Sequence, residues 1–331
     1  MKFRPSLKGR VWVYAEPMQY KTLGRTGLNV SVAGLGCGGH SRLGQTYGNS
    51  VEQSVAVVRA AMDLGINWID TAAAYGTEKI VGEAVKGRRD KVYISTKTAI
   101  LPWGEPKAAP FTGAQVLEQL DKNLDRLGTD YVDLYNLHGI VHAQLGYVAA
   151  EIVPALIKAK EQGKIRFLGI TEHFGGDTAH KMLSAAIPTD VWDVVMVGFN
   201  LLNPSARRNV LRLTQAHNVG TQDMFAVRRA LSNPDGLKEA LDQIEKAGQL
   251  DRAKLAAADP LGFLKDGTQG VVDAAYRFCR HEPGIDIVLT GTGKVEHLRE
   301  NVESITRGPL PAKMLARLEE LFGQVDSVSG N

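Results

Sequence analysis

The chain has 331 residues, and its 39 basic and 36 acidic side chains leave a formal net charge of +3 at pH 7. A surplus this small gives no strong electrostatic reason to expect nucleic acid or an acidic membrane as the main partner, although it is compatible with a small anionic ligand. The length fits either two average domains or one large α/β barrel, since such barrels commonly reach about 250 residues or more.

Cys37 and Cys279 are the only cysteines, and their wide separation is not typical of a disulfide framework or a metal cluster. No apolar run approaches the roughly 20 residues that span a bilayer, and residues 1–17 lack the long apolar core of a signal peptide. We therefore expect a cytoplasmic protein without a metal site and without a membrane or nucleic-acid partner. Residues 1–17 are interpreted as an N-terminal extension whose order is left open.

Residues 20–30 are typical of a β-hairpin, because Gly24 and Gly27 permit turn dihedrals between two extended runs. Such a hairpin can close one end of a barrel. From residue 31 onward, β-like runs alternate with helical patterns, which is typical of βα units and a parallel sheet. Eight strands are predicted, over residues 32–36, 67–71, 92–97, 132–138, 165–171, 191–200, 219–223 and 285–290.

Amphipathic segments at residues 51–64, 115–127 and 152–162 lie between these strands and predict helices. Gly65, Gly128 and Gly163 follow the three segments as candidate left-handed C-terminal caps. Strands and helices together predict a (β/α)8 TIM barrel with residues 18–331 as a single domain.

An insertion interrupts the alternation at residues 232–268, after the seventh strand. Two helices are predicted within it, at residues 237–247 and 254–264. Because barrel active sites lie at the carboxyl ends of the strands, we expect this insertion to lie over the active-site face.

Four polar residues lie at or just after the ends of predicted strands two, three and four. Asp70 ends the second strand, Tyr75 lies in the loop after it, and Lys97 and His138 close the next two strands. A parallel barrel would bring their side chains to one face. Each residue alone has an ordinary explanation, as a strand-end hydrogen-bond partner, a packed aromatic or a surface residue. Their joint placement favours a proton-transfer site.

The chemistry of these residues suits carbonyl reduction, which needs a hydride on carbon and a proton on oxygen. A free phenol has a pKa of about 10, and a nearby ammonium lowers it. Tyr75 is therefore the candidate acid and Lys97 the candidate ammonium. Asp70 would keep the lysine charged and oriented. His138 would donate a hydrogen bond to the carbonyl oxygen and fix its direction.

At these residues the chain resembles the aldo-keto reductase superfamily, from about Tyr20 to the last helix. Residues 23–31, 65–76, 95–97 and 133–138 are similar to the opening hairpin, the catalytic loop and the lysine and histidine strands of the family. The resemblance implies a catalytic tetrad of Asp70, Tyr75, Lys97 and His138. Tyr75 would be the general acid in reduction, and its anion would be the base in oxidation.

The resemblance also implies a nicotinamide dinucleotide cofactor, usually NADPH. Residues 289–301 place a small hydroxylated loop before a helix, which is a natural phosphate site, although a Gly-Thr-Gly segment alone is more often a turn. The implied cofactor contacts are Gly36, Cys37, Gly38, Asp70, Thr171, Glu172, Met196, Phe199, Arg228, Gly291, Thr292, Gly293, Lys294, His297 and Asn301.

Several of these positions depart from the family pattern. His297 stands where many members have an arginine for the 2′-phosphate, and Gly291 stands where some have a lysine; Lys294 is a candidate substitute. Glu172 and Met196 stand where an asparagine and a glutamine often hold the nicotinamide carboxamide. We therefore expect NADPH, with NAD as the open alternative.

Further positions bear on cofactor and substrate binding. Phe199 replaces the usual stacking tyrosine, and Arg228 stands where the family binds pyrophosphate, with ordinary solvated charge as the alternative explanation. Tyr47, Trp103 and Phe111, with the insertion, are candidate walls of a substrate pocket or ordinary packing residues.

Three functions are compatible with the sequence. The first is a carbonyl reductase, or the reverse alcohol dehydrogenase, acting on a small aldehyde, ketone or sugar. The second is a regulatory subunit that keeps the nucleotide site without useful turnover, as the departures at Glu172 and Met196 suggest. The third is a cofactor-free isomerase or lyase. The complete tetrad favours the first.

Overall fold

The computed structural model describes residues 16–102, 104–105 and 107–331. The described strands are β1 (Tyr20–Thr22), β2 (Asn29–Ser31), β3 (Ala33–Gly36), β4 (Trp68–Asp70), β5 (Tyr93–Thr98), β6 (Val132–Ile140), β7 (Ile165–Glu172), β8 (Val194–Gly198), β9 (Gly220–Met224) and β10 (Ile287–Thr290). β1 and β2 pair antiparallel, and the other eight close a parallel barrel in the order β10, β3, β4, β5, β6, β7, β8, β9. The predicted (β/α)8 barrel with its N-terminal hairpin is confirmed. Most of the N-terminal extension, residues 1–15, lies outside the described residues.

The helices alternate with the barrel strands. The α-helices are α1 (Val51–Asp63), α2 (Glu78–Val85), α3 (Gly113–Leu127), α4 (Leu145–Tyr147), α5 (Val153–Glu161), α6 (Lys181–Ala186), α7 (Arg212–Ala216), α8 (Arg229–Ser232), α9 (Pro234–Lys246), α10 (Val271–Arg280), α11 (Val295–Thr306) and α12 (Ala312–Phe322). π-helical segments cover Val148–Ile152 and Arg207–Leu211, and short 3₁₀ helices include Ala73–Tyr75.

The helix ends follow the local sequence. α1 begins at a capping box made by Ser50 and Gln53, and α3 begins at the same arrangement of Thr112 and Gln115. α3 ends at Gly128, whose φ of 62° is the left-handed conformation that favours glycine. The helices predicted at residues 51–64, 115–127 and 152–162 are therefore present as α1, α3 and α5.

The hairpin closes the amino-terminal end of the barrel. Leu23, Leu28 and Val30 form one buried apolar cluster with inward side chains of β4, β6, β8 and β10. Those side chains are Trp68, Leu134, Val194 and Ile287. Burying a leucine such as Leu23 stabilises the fold by about 1.5–3 kcal/mol relative to leaving it exposed. The hairpin thus leaves the carboxyl ends of the strands as the face on which a site can form.

One predicted helix of the insertion is wrong. The helix expected at residues 237–247 is present as α9, which begins earlier, at Pro234. At residues 254–264 the structure has only 3₁₀ turns, at Arg252–Lys254 and Gly262–Lys265. Pro260 explains the difference, because its ring clashes with the preceding turn and disfavours helical dihedrals at Asp259.

Strand alternation divides the side chains of β5 between the barrel interior and the helix layer. The Ser95 and Lys97 side chains both contact Asp70 inside the barrel. The Thr96 hydroxyl instead donates to Glu78 of α2. The inward polar side chains of β5 therefore lie against Asp70 at the carboxyl end of β4.

Helices long and apolar enough to cross a bilayer are absent from the part of the chain that the structure describes.

Candidate active site

The structure brings all four predicted residues of the tetrad together. Asp70 is the last residue of β4, and the 3₁₀ turn that follows ends at Tyr75. Lys97 and His138 lie near the carboxyl ends of β5 and β6. Gly76, with φ of 70°, reverses the chain directly after Tyr75.

A buried ion pair lies at the centre of the site. The Lys97 Nζ atom donates to Asp70 Oδ2 at 2.5 Å and to the Thr71 carbonyl oxygen at 2.9 Å. The side chain of Lys97 is 0% exposed and that of Asp70 is 4% exposed. An ammonium with these two acceptors is compensated where water is excluded.

The Tyr75 ring is enclosed by charged and polar groups. Its hydroxyl lies 3.4 Å from His138 Nε2, and the two rings meet edge to face. The Lys97 Nζ atom is 5.0 Å from the centroid of the phenol ring. The Arg42 Nε atom donates to the Tyr75 carbonyl oxygen at 2.7 Å. The phenol therefore contacts an imidazole and lies close to an ammonium.

Burial and charge act on these groups in opposite directions. Burial raises the pKa of the Tyr75 phenol, and Lys97 and Arg228 lower it only in part. The sequence predicted that Lys97 lowers the phenol pKa, and Lys97 does act in that direction. The net pKa of Tyr75 is nevertheless raised, because the effect of burial is larger. Burial alone would lower the pKa of Lys97, but Asp70 and Tyr75 raise it overall, so Lys97 is an ammonium at neutral pH.

His138 is neutral at physiological pH. Burial, with the charges of Lys97 and His173, lowers the pKa of its imidazole to about 3. A neutral imidazole has one donor nitrogen and one acceptor nitrogen, so His138 can donate one hydrogen bond to a carbonyl oxygen without carrying charge.

Gly38 lies against the candidate acid. A Cβ atom at Gly38 would lie 2.5 Å from Cε2 of Tyr75 and 2.6 Å from its Cζ. We expect Gly38→Ala to displace the phenol and lower turnover by roughly tenfold, since small misplacements of a reacting group are costly. Steady-state kinetics and thermal melting would check this, with Gly146→Ala as the control because its Cβ would meet no atom within 4 Å. Turnover equal to that of the control would contradict the expectation.

The first barrel loop also contributes a thiol and a backbone amide. The Cys37 amide donates to the Asp70 carbonyl oxygen at 2.8 Å, which ties the loop after β3 to β4. The Cys37 side chain is fully buried, and burial raises the pKa of its thiol. Of the predicted cofactor contacts in this loop, Gly36 and Gly38 are partly exposed.

The predicted phosphate loop lies between β10 and α11. The Thr292 hydroxyl accepts from the Lys294 amide at 3.2 Å, and the side chain of Lys294, the N-cap residue of α11, makes no capping hydrogen bond. Unbonded amides at a helix start suit an anion. Gly291 lies against Gly36 at the end of β3, and Gly293 lies against Gly44 in the loop that follows.

Two more predicted contacts lie on α11. His297 is exposed on the surface of α11, near its start. The Asn301 amide donates to the Thr290 hydroxyl at 2.9 Å, so its side chain is directed at β10. Both residues therefore lie on the helix that follows the phosphate loop.

Among the predicted nicotinamide contacts, Thr171 and Met196 are neighbours on adjacent strands, whereas the Glu172 side chain is directed elsewhere. The Thr171 hydroxyl accepts from the Gly139 amide, and Met196 is paired with Thr171 in the strand register. Glu172 points elsewhere: both of its side-chain oxygens lie 3.0 Å from His180 Nδ1, and Oε1 also accepts from the Gly198 amide. The carboxylate is fully engaged away from Thr171.

Phe199 is also directed away from the open face. It is 0% exposed and stacks on Phe278 of α10, with ring centroids 5.4 Å apart. The structure therefore does not bring Phe199 to the surface of the site. Phe225, which the sequence did not single out, is partly exposed and carries the Arg228 guanidinium 4.0 Å above its ring centroid.

Arg228 is the predicted pyrophosphate contact. Its Nε donates to Asn331 Oδ1, and its Nη1 lies 3.2 Å from the position that a Cβ of Gly39 would occupy. Within the described residues no carboxylate lies within ion-pair distance of Arg228. Arg42 likewise has no carboxylate partner among them. These two guanidinium groups make the surroundings of Tyr75 suitable for an anion.

Of the three aromatic residues predicted as pocket walls, the structure describes Tyr47 and Phe111. Tyr47 is 67% exposed and contacts the His40 ring edge to face. The Phe111 carbonyl oxygen accepts from Tyr147, and the Phe111 ring is partly buried in the main core. Trp103 lies outside the described residues. Among residues that are described, no three His, Cys, Asp or Glu side chains are grouped as metal ligands.

Sequence reasoning missed two inward polar residues, Ser95 and Asn136. Both precede a tetrad residue by two positions, Lys97 and His138 respectively. Since side chains two apart on a strand share a face, this spacing was the signal that would have revealed them.

Comparisons with known proteins agree with this geometry. The sequence model of the Aldo/keto reductase family matches residues 35–322. L-galactose dehydrogenase of Arabidopsis thaliana is 28% identical over 94% of this chain and 94% of its own length. The aldo-keto reductase YhdN of Bacillus subtilis (strain 168) is 31% identical over 86% of this chain and 88% of its own. A holo aldo-keto reductase structure from Bacillus halodurans shares the fold, with a TM-score of 0.73, 24% identity, and coverage of 94% and 98%. This chain belongs to the aldo/keto reductase family.

Proposed function

We propose that this protein transfers a hydride between a nicotinamide cofactor and a small carbonyl or alcohol substrate, with Tyr75 as general acid in reduction and its anion as base in oxidation. The observation that carries the proposal is the position of the Lys97 ammonium, 5.0 Å from the Tyr75 ring and held by Asp70. Such a charge favours the phenolate and makes proton release to a carbonyl oxygen easier.

The substrate oxygen would bind between Tyr75 and His138. The Tyr75 hydroxyl would donate the proton, and neutral His138 would orient the oxygen by a hydrogen bond. Lys97 would remain an ammonium through both directions of reaction, because Asp70 keeps its pKa raised. A neutral imidazole beside an ammonium avoids a second buried positive charge.

The residues of the carboxyl face suit a nicotinamide dinucleotide at its phosphate end. The start of α11 offers unbonded amides, and Arg228 offers a guanidinium without a carboxylate partner among the described residues. Thr292, Lys294 and His297 would complete this end. Thr171 would hold the carboxamide through its hydroxyl, and Glu172 would support the strand end through His180. When bound, the cofactor supplies the hydride.

The proposal extends to substrate and location. One relative is an L-galactose dehydrogenase, which supports a small aldehyde, ketone or sugar as substrate. We place the protein in the cytoplasm, with residues 18–331 as a single domain. NADPH is the preferred cofactor and NADH the alternative.

One pair of measurements tests this function. NADPH and NADH are titrated separately by quenching of tryptophan fluorescence, and cofactor oxidation is then followed over a panel of aldehydes, ketones and sugars. Saturable binding with turnover supports the proposal. Saturable binding without turnover on any substrate would instead indicate a regulatory subunit, and binding of neither cofactor would overturn the proposal.

His297 provides a test of cofactor preference. We expect His297→Arg to tighten NADPH binding by roughly tenfold while leaving NADH binding unchanged, because arginine makes bidentate, charge-assisted hydrogen bonds to a phosphate. The measurement is the ratio of the two dissociation constants. Glu303→Gln is the control, since it raises the net charge by the same amount farther along α11. An equal gain in both variants would show that only long-range charge matters.

A further inference from the structure

A chain of polar side chains continues from the Lys97–Asp70 pair into the barrel. The Ser95 hydroxyl donates to Asp70 Oδ1 at 2.8 Å, on the oxygen that Lys97 does not use. The Asn136 amide nitrogen donates to Ser95 Oγ at 3.0 Å and to the Thr96 carbonyl oxygen at 3.2 Å. Ser95 and Asn136 are both 0% exposed.

The direction of these hydrogen bonds is determined by the partners. The Thr96 carbonyl oxygen can only accept, so the Asn136 group that faces it must be the amide nitrogen. Ser95 Oγ therefore accepts from Asn136, and its single proton is directed at Asp70. Asp70 receives one hydrogen bond from a neutral hydroxyl and one from an ammonium, which holds both carboxylate oxygens in place.

Gly169 of β7 makes room for this arrangement. Asn136 and Gly169 are register partners, and a Cβ atom at Gly169 would overlap the Asn136 amide oxygen. No described residue donates to that oxygen, although it is buried. Burying an amide oxygen without a hydrogen bond costs free energy, so packing alone would favour an apolar side chain at this position. The favourable contribution of Asn136 therefore comes from its amide nitrogen, which donates to Ser95.

We propose that Ser95 and Asn136 are positioning residues that fix the Asp70 carboxylate and, through it, the Lys97 ammonium beneath Tyr75. This inference rests on the proposed function, since it assigns a supporting layer to the same site. It is specific to the inward face of β5 and β6, because the neighbouring Thr96 hydroxyl contacts Glu78 on the outward face.

The charged and titratable groups around Asp70 determine what its displacement would change. Lys97 of β5 and the Cys37 thiol after β3 both interact with its charge, and Tyr75 lies on the loop that follows it. His138 faces Lys97 from β6. If the Ser95 hydrogen bond is lost, the carboxylate is less stabilised, Lys97 holds its proton less firmly, and ionisation of Tyr75 requires a higher pH.

Ser95→Ala is the test of this role. Thr96→Val is its matched control, because it also removes one buried hydroxyl, from the adjacent residue. In alcohol oxidation, the rise of kcat with pH reports ionisation of the base. We expect Ser95→Ala to lower kcat by roughly ten- to hundredfold, as for a hydrogen bond to a charged group, with KM little changed and the rise moved to higher pH. Thr96→Val should leave the pH profile in place. An unshifted profile in Ser95→Ala would overturn the proposal.

Asn136→Leu provides the second arm, because leucine keeps a similar volume but cannot donate. We expect a smaller shift in the same direction, and no added shift in the double variant with Ser95→Ala, because both changes act along one chain of contacts. If the shifts of the pH profile in the two single variants add up in the double variant, Ser95 and Asn136 do not act through the same chain of contacts, and the proposal is overturned.

A readout without turnover separates this inference from the proposed function. Ionisation of Tyr75 is measured by ultraviolet difference absorbance between each variant and the same variant carrying Tyr75→Phe. If the wild-type protein reduces no carbonyl, the proposed function fails. A higher Tyr75 pKa in Ser95→Ala but not in Thr96→Val would still support the positioning role, and equal pKa values would overturn it.

Discussion

Replacing Tyr75 by phenylalanine is expected to lower carbonyl reduction by roughly 10²- to 10⁴-fold, the usual contribution of a general acid. The phenyl ring keeps the packing against Gly38 and His138 but has no proton to donate. The dissociation constant of NADPH should stay within about twofold of the wild-type value, because the change removes one hydroxyl from the substrate side. Single-turnover kinetics with a saturating aldehyde, together with fluorescence titration of the cofactor, measure both quantities.

Tyr135→Phe is the matched control for this variant. Tyr135 is also buried, but its hydroxyl donates to Asn123 at 3.3 Å in the outer layer of the fold. We expect near wild-type turnover from Tyr135→Phe. Unchanged turnover in Tyr75→Phe would remove Tyr75 from the acid role, whereas loss of NADPH binding would show that the hydroxyl serves the cofactor.

Lys97→Met should remove both activity and much of the stability. Methionine preserves length and apolar bulk but leaves the buried Asp70 carboxylate without its ammonium. Breaking a buried pair in this way typically costs about 3–5 kcal/mol in the free energy of unfolding. Turnover should fall at least as far as in Tyr75→Phe. The phenol then loses the positive charge that lowers its pKa against the effect of burial.

The pH dependence of Lys97→Met has a definite sign. Burial raises the pKa of Asp70 in the folded protein above its unfolded value of about 3.9. An acid with a raised folded pKa binds protons more tightly in the folded state, and Lys97→Met removes the charge that lowers this pKa. The variant should therefore gain stability relative to wild type as pH falls from neutrality toward 4. Urea unfolding across this range measures the effect.

Wild-type stability should also change in the alkaline range. The pKa of Lys97 is raised in the folded protein, so its contribution is complete below the unfolded pKa of about 10.4 and is lost as pH rises through the folded value. Asp70→Asn in the Lys97→Met background should restore stability without activity. Failure of the double variant to recover stability would contradict the assignment of the loss to an unpaired carboxylate.

Much of the fold followed from local patterns. Glycines after the helical segments, such as the left-handed Gly128, and eight apolar runs are short-range signals, and they predicted the elements of a barrel correctly. The helix predicted at residues 254–264 is wrong, because Pro260 disfavours helical dihedrals at the residue before it. A single backbone constraint decided that segment.

The sequence also supplied the identities of the candidate reacting groups, but not the net effect of burial and charge on their pKa values. Asp70, Tyr75, Lys97 and His138 could be found because each lies at or just after the end of a predicted strand, and a parallel barrel brings the carboxyl ends of its strands together. The net direction of the Tyr75 pKa could not be found, because burial depends on atoms contributed by the whole fold.

By itself, the sequence determined the barrel, the hairpin and the four polar side chains, because strand periodicity and strand-end position are local properties of the chain. Only the tertiary structure decided that Glu172 bonds to His180, that Phe199 stacks on Phe278 and that Asn136 reaches Asp70 through Ser95. These contacts join residues on different strands or helices or in different loops. Their geometry depends on barrel register and on the space left by residues such as Gly169, which no local pattern encodes.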